Sequence, residues 1–110
     1  MLSFSDRYQL LRIIEKKPNA SQRELARELG YSVGKINYCL QALREKGLVK
    51  VVNFCQSSNK ARYFYQLTPV GILEKTRITK EFLERKMHEH EILLMEIERL
   101  RIEVQELEEG

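Results

Sequence analysis

The 110-residue sequence contains no apolar run approaching the about 18 residues of a membrane span, and Ser3, Ser5, Asp6 and Arg7 break any apolar core of a secretory leader. Neither a span nor a leader is expected, and the reading is a cytoplasmic protein. Cysteine is scarce: Cys39 and Cys55 are the only two, 16 residues apart, with no Cys-x-x-Cys pair. That excludes a disulfide framework and a zinc motif, and reduced thiols are the default. His88 and His90, two apart on a helix, point to different sides, so no metal site is assigned to them. No serine-histidine-acid set, phosphate loop or carboxylate pair is visible, so neither an enzyme nor a cofactor is expected. With only two prolines, Pro18 and Pro69, helices are interrupted at few places.

What is present is charge of uneven sign. Residues 1–70 hold 12 Lys/Arg against 5 Asp/Glu, or +7, and residues 71–110 hold 7 against 11, or −4, which together give the net +3. A basic front suggests an anionic partner and an acidic helical tail a self-contained or protein-binding role; ordinary surface charge is the plainer alternative.

Apolar spacing predicts a first amphipathic helix from Asp6 to Lys17, with Leu10, Leu11, Ile13 and Ile14 inward and Pro18 ending it. Ser21-Gln-Arg-Glu24 reads as a capping box that opens a second helix with Leu25, Ala26 and Leu29 inward. Gly30 closes it in a left-handed conformation. Ser32 caps a third helix, Val33 to about Lys46, with Ile36, Leu40 and Leu43 inward and Gly47 closing it. Only Gly30 and Tyr31 separate the caps, which suits the sharp crossing of a helix-turn-helix.

The outward face of the third helix would then carry Ser32, Val33, Gly34, Lys35, Asn37, Tyr38 and Gln41, with no acid before Glu45. Gly34 permits close approach of a phosphate backbone, and Lys35, Asn37, Tyr38 and Gln41 supply donors and acceptors for base edges or phosphates. A solvated polar face is the alternative.

The β-branched run Leu48–Asn53 and the alternating run Ala61–Leu67 predict two strands around a polar connection, Phe54 to Lys60. A hairpin directly after a helix-turn-helix is a wing, and Lys60 and Arg62 would make it basic enough to lie along or enter a minor groove; a plain surface hairpin is the other reading.

The segments "SQRELARELG" and "YSVGKINYCLQALREKGLVKV", followed by a polar wing and "YFYQLTPVG", resemble the winged helix-turn-helix of MarR-type transcriptional regulators. The "L..KGLV" at Leu43–Val49 and the "Y.LT..G" at Tyr65–Gly71 are the most telling pieces, and the resemblance covers residues 1–71. Within that family the chain is most similar to short regulators associated with exopolysaccharide gene clusters. The resemblance implies DNA contacts at Val33, Gly34, Lys35, Asn37, Tyr38 and Gln41, and a wing contact at Arg62. Full-length members begin with an extra helix that interlocks with the C-terminal helices. Here the first winged-helix segment starts close to Met1, so no effector pocket between those layers is expected and pairing should rest on the tail. A thiol switch, as in some members, would need an exposed thiolate, whereas Cys39 falls near the inward side of its helix.

In the tail, Thr68 caps a helix with Pro69 at its first position, and nothing interrupts it before the terminal glycine. His90, Ile97 and Val104 fall at a, and Leu93, Leu100 and Leu107 at d, of about two and a half heptads. β-Branched a with leucine d favours a parallel two-stranded coiled coil, in which Glu96 at g meets Arg101 at e. Ile92, Met95 and Ile102 lie outside the stripe and keep a helix packed on its own domain as the alternative.

The expected architecture is mostly α with a small β-hairpin: a winged helix-turn-helix over 1–69, then a long C-terminal dimerisation helix over 70–110. The expected activity is that of a homodimeric regulator binding a pseudo-palindromic site in double-stranded DNA. A winged helix used as a protein-docking module, with the tail as the interaction surface, is the competing reading.

Overall fold

The computed structural model describes residues 2–55 and 61–110, and at 53–55 and 61–63 the backbone alone. The order is α1 (Phe4–Lys16), α2 (Gln22–Leu29), α3 (Val33–Glu45), β1 (Val49–Cys55), β2 (Ala61–Leu67) and α4 (Pro69–Glu109). Two compact units result, Met1–Thr79 and Lys80–Gly110.

In the first unit each short helix is bounded by groups that satisfy its orphan backbone. The hydroxyls of Ser3, Ser21 and Ser32 accept from the amides of Asp6, Glu24 and Lys35 at 3.0, 3.2 and 3.1 Å. Ser21 also donates to the Glu24 carboxylate at 3.3 Å, so the capping-box pair meets through its side chains. The Ser3 cap starts α1 two residues before the Asp6 that apolar spacing marks.

Gly30 (φ 69°) and Gly47 (φ 73°) each end a helix in the left-handed region. Gly30 N–H donates to Arg27 and Tyr31 N–H to Ala26; Gly47 N–H donates to Arg44 and Leu48 N–H to Leu43, at 2.9 to 3.3 Å. Both are Schellman closures, which return freed carbonyls to donors just beyond the helix.

The three helices bury Leu10, Leu11, Ile13, Ile14, Leu25, Ala26, Ile36, Cys39, Leu40 and Leu43, the faces that the spacing marks as inward. Leu29 is half-buried against this core, and Ala20, Leu48, Val49 and Ile78 complete it. β1 and β2 pair antiparallel from Val49↔Leu67 to Cys55↔Ala61. Phe54 and Cys55 therefore belong to β1, because their backbones find partners in Arg62 and Ala61; they are not part of the connection.

The start of α4 is tied to the end of α3. Thr68 N–H donates to the Leu48 carbonyl at 3.0 Å, its hydroxyl donates to the Gly47 carbonyl at 2.6 Å, and that hydroxyl accepts from Gly71 N–H at 3.0 Å. Gly71 is buried, and a Cβ built there runs into the Leu48 carbonyl oxygen. Arg7–Glu74 at 3.5 Å and Lys75–Glu15 at 2.6 Å link the first turns of α4 to α1.

The second unit is a single helical stretch with local pairs Arg85–Glu81 at 3.0 Å and Lys86–Glu89 at 3.2 Å. Such pairs contribute a few tenths of a kcal/mol each. Its apolar side chains, from Leu83 to Leu107, are exposed.

Gly71→Ala should lower the unfolding free energy by about 1–3 kcal/mol, because the obstacle is backbone. Gly34→Ala, where nothing lies within 4 Å of a built Cβ, should cost nothing. Equilibrium urea unfolding measures both, and equal midpoints for Gly71→Ala and the parent would contradict the close approach.

Candidate nucleic-acid interface

The site is built on α3, whose inward positions Ile36, Cys39, Leu40 and Leu43 are at most 1% exposed. With that face locked into the core, the 3.6-residue repeat sends the intervening side chains outward. Ser32, Val33, Gly34, Lys35, Asn37, Tyr38 and Gln41 are all exposed, as expected. The first turn holds no acid, and around Gly34 the backbone is open, so the helix N-terminus presents positive dipole and approachable amides. The apolar Val33 and the ring of Tyr38 are each about half exposed on the same face.

The N-terminus of α3 is held from two sides. Gln22 of α2 donates to the Val33 carbonyl at 3.4 Å and accepts from the Tyr65 hydroxyl of β2 at 3.4 Å. One side chain thus joins both helices of the turn to the hairpin. On the other side the Tyr31 hydroxyl donates to the Asp6 carboxylate at 2.5 Å, the Lys35 ammonium lies 3.3 Å from that carboxylate, and the same ammonium sits 4.0 Å from the centre of the Tyr31 ring.

Lys35 therefore differs from the freely projecting base that its position suggests. It is exposed but leans back on α1 and the turn, its charge partly answered by Asp6. Burial pushes the Asp6 carboxyl up, yet hydrogen bonds with Tyr31, Ser3 and Lys35 outweigh it and hold the group below its ordinary range. Burial, and then the bond to Asp6, raise the Tyr31 phenol far above its usual value, so it stays a donor.

Burial also raises the Cys39 thiol, which leaves it protonated at neutral pH and opposite in character to a sensing thiolate. Of the wing residues, Lys60 lies outside the described residues. Arg62 is placed by its backbone in β2 opposite Phe54, with its side chain outside the described set, as is that of Cys55.

Three residues escape a reading of the sequence alone. Arg44 is exposed three positions after Gln41 on the same face, a signal that helical spacing does contain. Asp6 and Gln22 act through contacts with partners 25 and 43 residues away, and no local pattern marks those.

Residues 7–50 match the winged helix-turn-helix DNA-binding family. Among solved structures, the chain is similar to Staphylococcus aureus MarR in complex with salicylate and kanamycin, at 21% identity over 74% of this chain and 53% of that one, with a TM-score of 0.60. It is similar to the S. aureus MepR–DNA complex at 20% identity over 76% of this chain and 60% of that one, with a TM-score of 0.65. A third neighbour is Streptococcus pneumoniae FabT in complex with DNA, at 25% identity over 94% of this chain and 74% of that one, with a TM-score of 0.58. The chain spans less than two thirds of the two staphylococcal proteins. No curated protein matches it. The fold is a winged helix-turn-helix with a long C-terminal helix. Its fold is the one seen in S. aureus MarR and MepR.

The Asp6 cluster has a pH signature. A carboxyl whose folded pKa lies below its unfolded value, about 3.9, contributes stability that is complete above that value and is lost as pH falls through the folded one. Asp6→Asn should be less stable than the parent near neutral pH, and its stability should fall less steeply between about pH 4.5 and 2.5. Urea unfolding across that range reads both, and parallel curves would contradict the assignment.

Proposed function

We propose that this chain is a sequence-specific, double-stranded-DNA-binding transcriptional regulator of the MarR type, acting in the cytoplasm as a homodimer on a pseudo-palindromic operator. The observation that carries the reading is the outward face of α3. It is exposed, free of acids through Gln41, and presented by a turn whose two ends are independently closed by Gly30 and capped by Ser32. Asn37 and Gln41, one turn apart, suit bidentate contact with base edges in a major groove, while Ser32, Val33, Gly34, Lys35 and Tyr38 suit the flanking backbone. Lys60 and Arg62 would add wing contacts in the neighbouring minor groove. The DNA complexes of MepR and FabT support the same use of this fold. The resemblance to short exopolysaccharide-associated regulators extends the proposal to the control of such genes.

We assign DNA recognition to residues 1–69 and pairing to residues 70–110, with His90, Leu93, Ile97, Leu100, Val104 and Leu107 forming the seam. The apolar members of that set are 38–80% exposed in the single chain, a surface that a second helix would cover. Two recognition helices would then address successive major grooves about 34 Å apart.

Selection of the pure protein on random duplexes at about 150 mM salt should enrich an inverted repeat with half-sites one helical turn apart. No enriched motif from folded, oligomeric protein would contradict the proposal and favour the docking-module reading. Asn37→Ala or Gln41→Ala should relax discrimination at one base pair by about 1–3 kcal/mol. Arg62→Ala should weaken all sequences alike and flatten the salt dependence, and unchanged binding in all three variants would remove the assignment of this face. Leu100→Asp should separate the chains, and sedimentation at the parental oligomer size would exclude the tail as the interface.

A further inference from the structure

The exposed stripe of the second unit is wider than its a and d positions. Carried upstream, the register puts Leu83 at a, Lys86 at d, and Met87 and Leu94 at e. Leu83, Met87 and Leu94 are 59, 56 and 51% exposed, comparable to Leu93 and Leu100 at 52% each. Any pairing of the tails has to place these residues as well as the heptad leucines.

A parallel, in-register pair sets every layer against itself. Lys86 would face Lys86 and His90 would face His90 within the seam, while Leu94 would lie beside Glu89 of the other copy. Residues 103–109 contain Glu103, Glu106, Glu108 and Glu109 and no base, so two such acidic ends would lie side by side. Against this, the parallel form keeps the Glu96–Arg101 pair and the β-branched a layers, but only Ile97 and Val104 supply those. The remaining a positions are Leu83 and His90.

An antiparallel pair resolves each of these conflicts. With Leu83 opposite Leu107 of a second copy, Lys86 falls opposite Val104, His90 opposite Leu100, and Leu93 opposite Ile97. Leu94 meets Leu94 of the second copy, while Met87 falls beside Arg101, and the g positions set Glu96 beside Glu96 and Glu89 beside Glu103 as the cost of this direction. The acidic end comes beside residues 81–87, where Arg85 and Lys86 balance Glu81 and Glu84, instead of beside a second all-acidic end, with Lys80 flanking Glu108.

Accepting the tail-mediated dimer proposed above, on which this inference rests, we propose that the occupant of the exposed stripe is a second copy of this chain running antiparallel. At 1.5 Å per residue the two Lys80 residues then stand about 45 Å apart along the seam, at opposite ends of the paired helices. A parallel coil would gather them at one end.

Single-cysteine variants Leu83→Cys and Leu107→Cys, both at exposed positions, test the direction. Oxidised alone, neither should form a dimer linked at its new cysteine. Mixed, they should form a disulfide joining 83 to 107, identified by peptide mapping so that Cys39 and Cys55 do not confuse the result. Lys80→Cys and Glu108→Cys, joined by a short bis-maleimide, repeat the test without removing an apolar contact. Self-linking of each variant with no mixed product would overturn the antiparallel direction while leaving the dimer standing. Absence of every such link, together with sedimentation of the unaltered protein as a monomer, would overturn the dimer and the direction together.

Discussion

The left-handed backbone at Gly30 is the constraint from which the interface follows. An L residue with a side chain costs roughly 1–2 kcal/mol in that conformation, and without it the chain could not send Gly30 and Tyr31 amides back to the α2 carbonyls and still reach the Ser32 cap at once. The direction of α3 is set there. Once Ile36, Cys39, Leu40 and Leu43 are buried, the outward residues have no freedom to be elsewhere. The exposed polar face is thus a consequence of the closure and the core together.

The same device recurs at the other end of α3, where it does more than stop a helix. The Gly47 closure leaves the carbonyls of Gly47 and Leu48 facing Thr68, and that residue caps α4 while holding the base of the hairpin. The end of α3, the base of the hairpin and the start of α4 therefore meet at Gly47, Leu48 and Thr68. A shift in any one of them would be felt at the start of the others, since the close approach at Gly71 leaves no slack.

Much of this was written locally in the sequence. The caps at Ser21 and Ser32, the glycine stops and the inward stripes are patterns of three or four residues, and each element formed where its pattern lies. The first helix starts earlier than its apolar spacing marks because Ser3, three residues before Asp6, supplies the cap. The strand pairing reached Cys55 because pairing partners, not composition, end a strand. Within the interface, the spacing identified which residues face outward but not what holds them. The pairing of Lys35 and Tyr31 with Asp6, and the bond that ties Gln22 to Tyr65 of β2, depend on contacts across 25 or more residues, which no periodicity encodes.

The division of charge fits a division of labour. In the proposed function the basic front would supply the long-range attraction that brings a polyanion to α3, while the acidic tail would repel that same polyanion. The most direct test of this account is to titrate a mixed-sequence DNA duplex at low salt into isotope-labelled protein and follow the backbone amides by NMR. The account predicts that perturbations concentrate at residues 32–41 and in the hairpin, with residues 80–109 little affected. Perturbations confined to the tail, or none along α3, would contradict it.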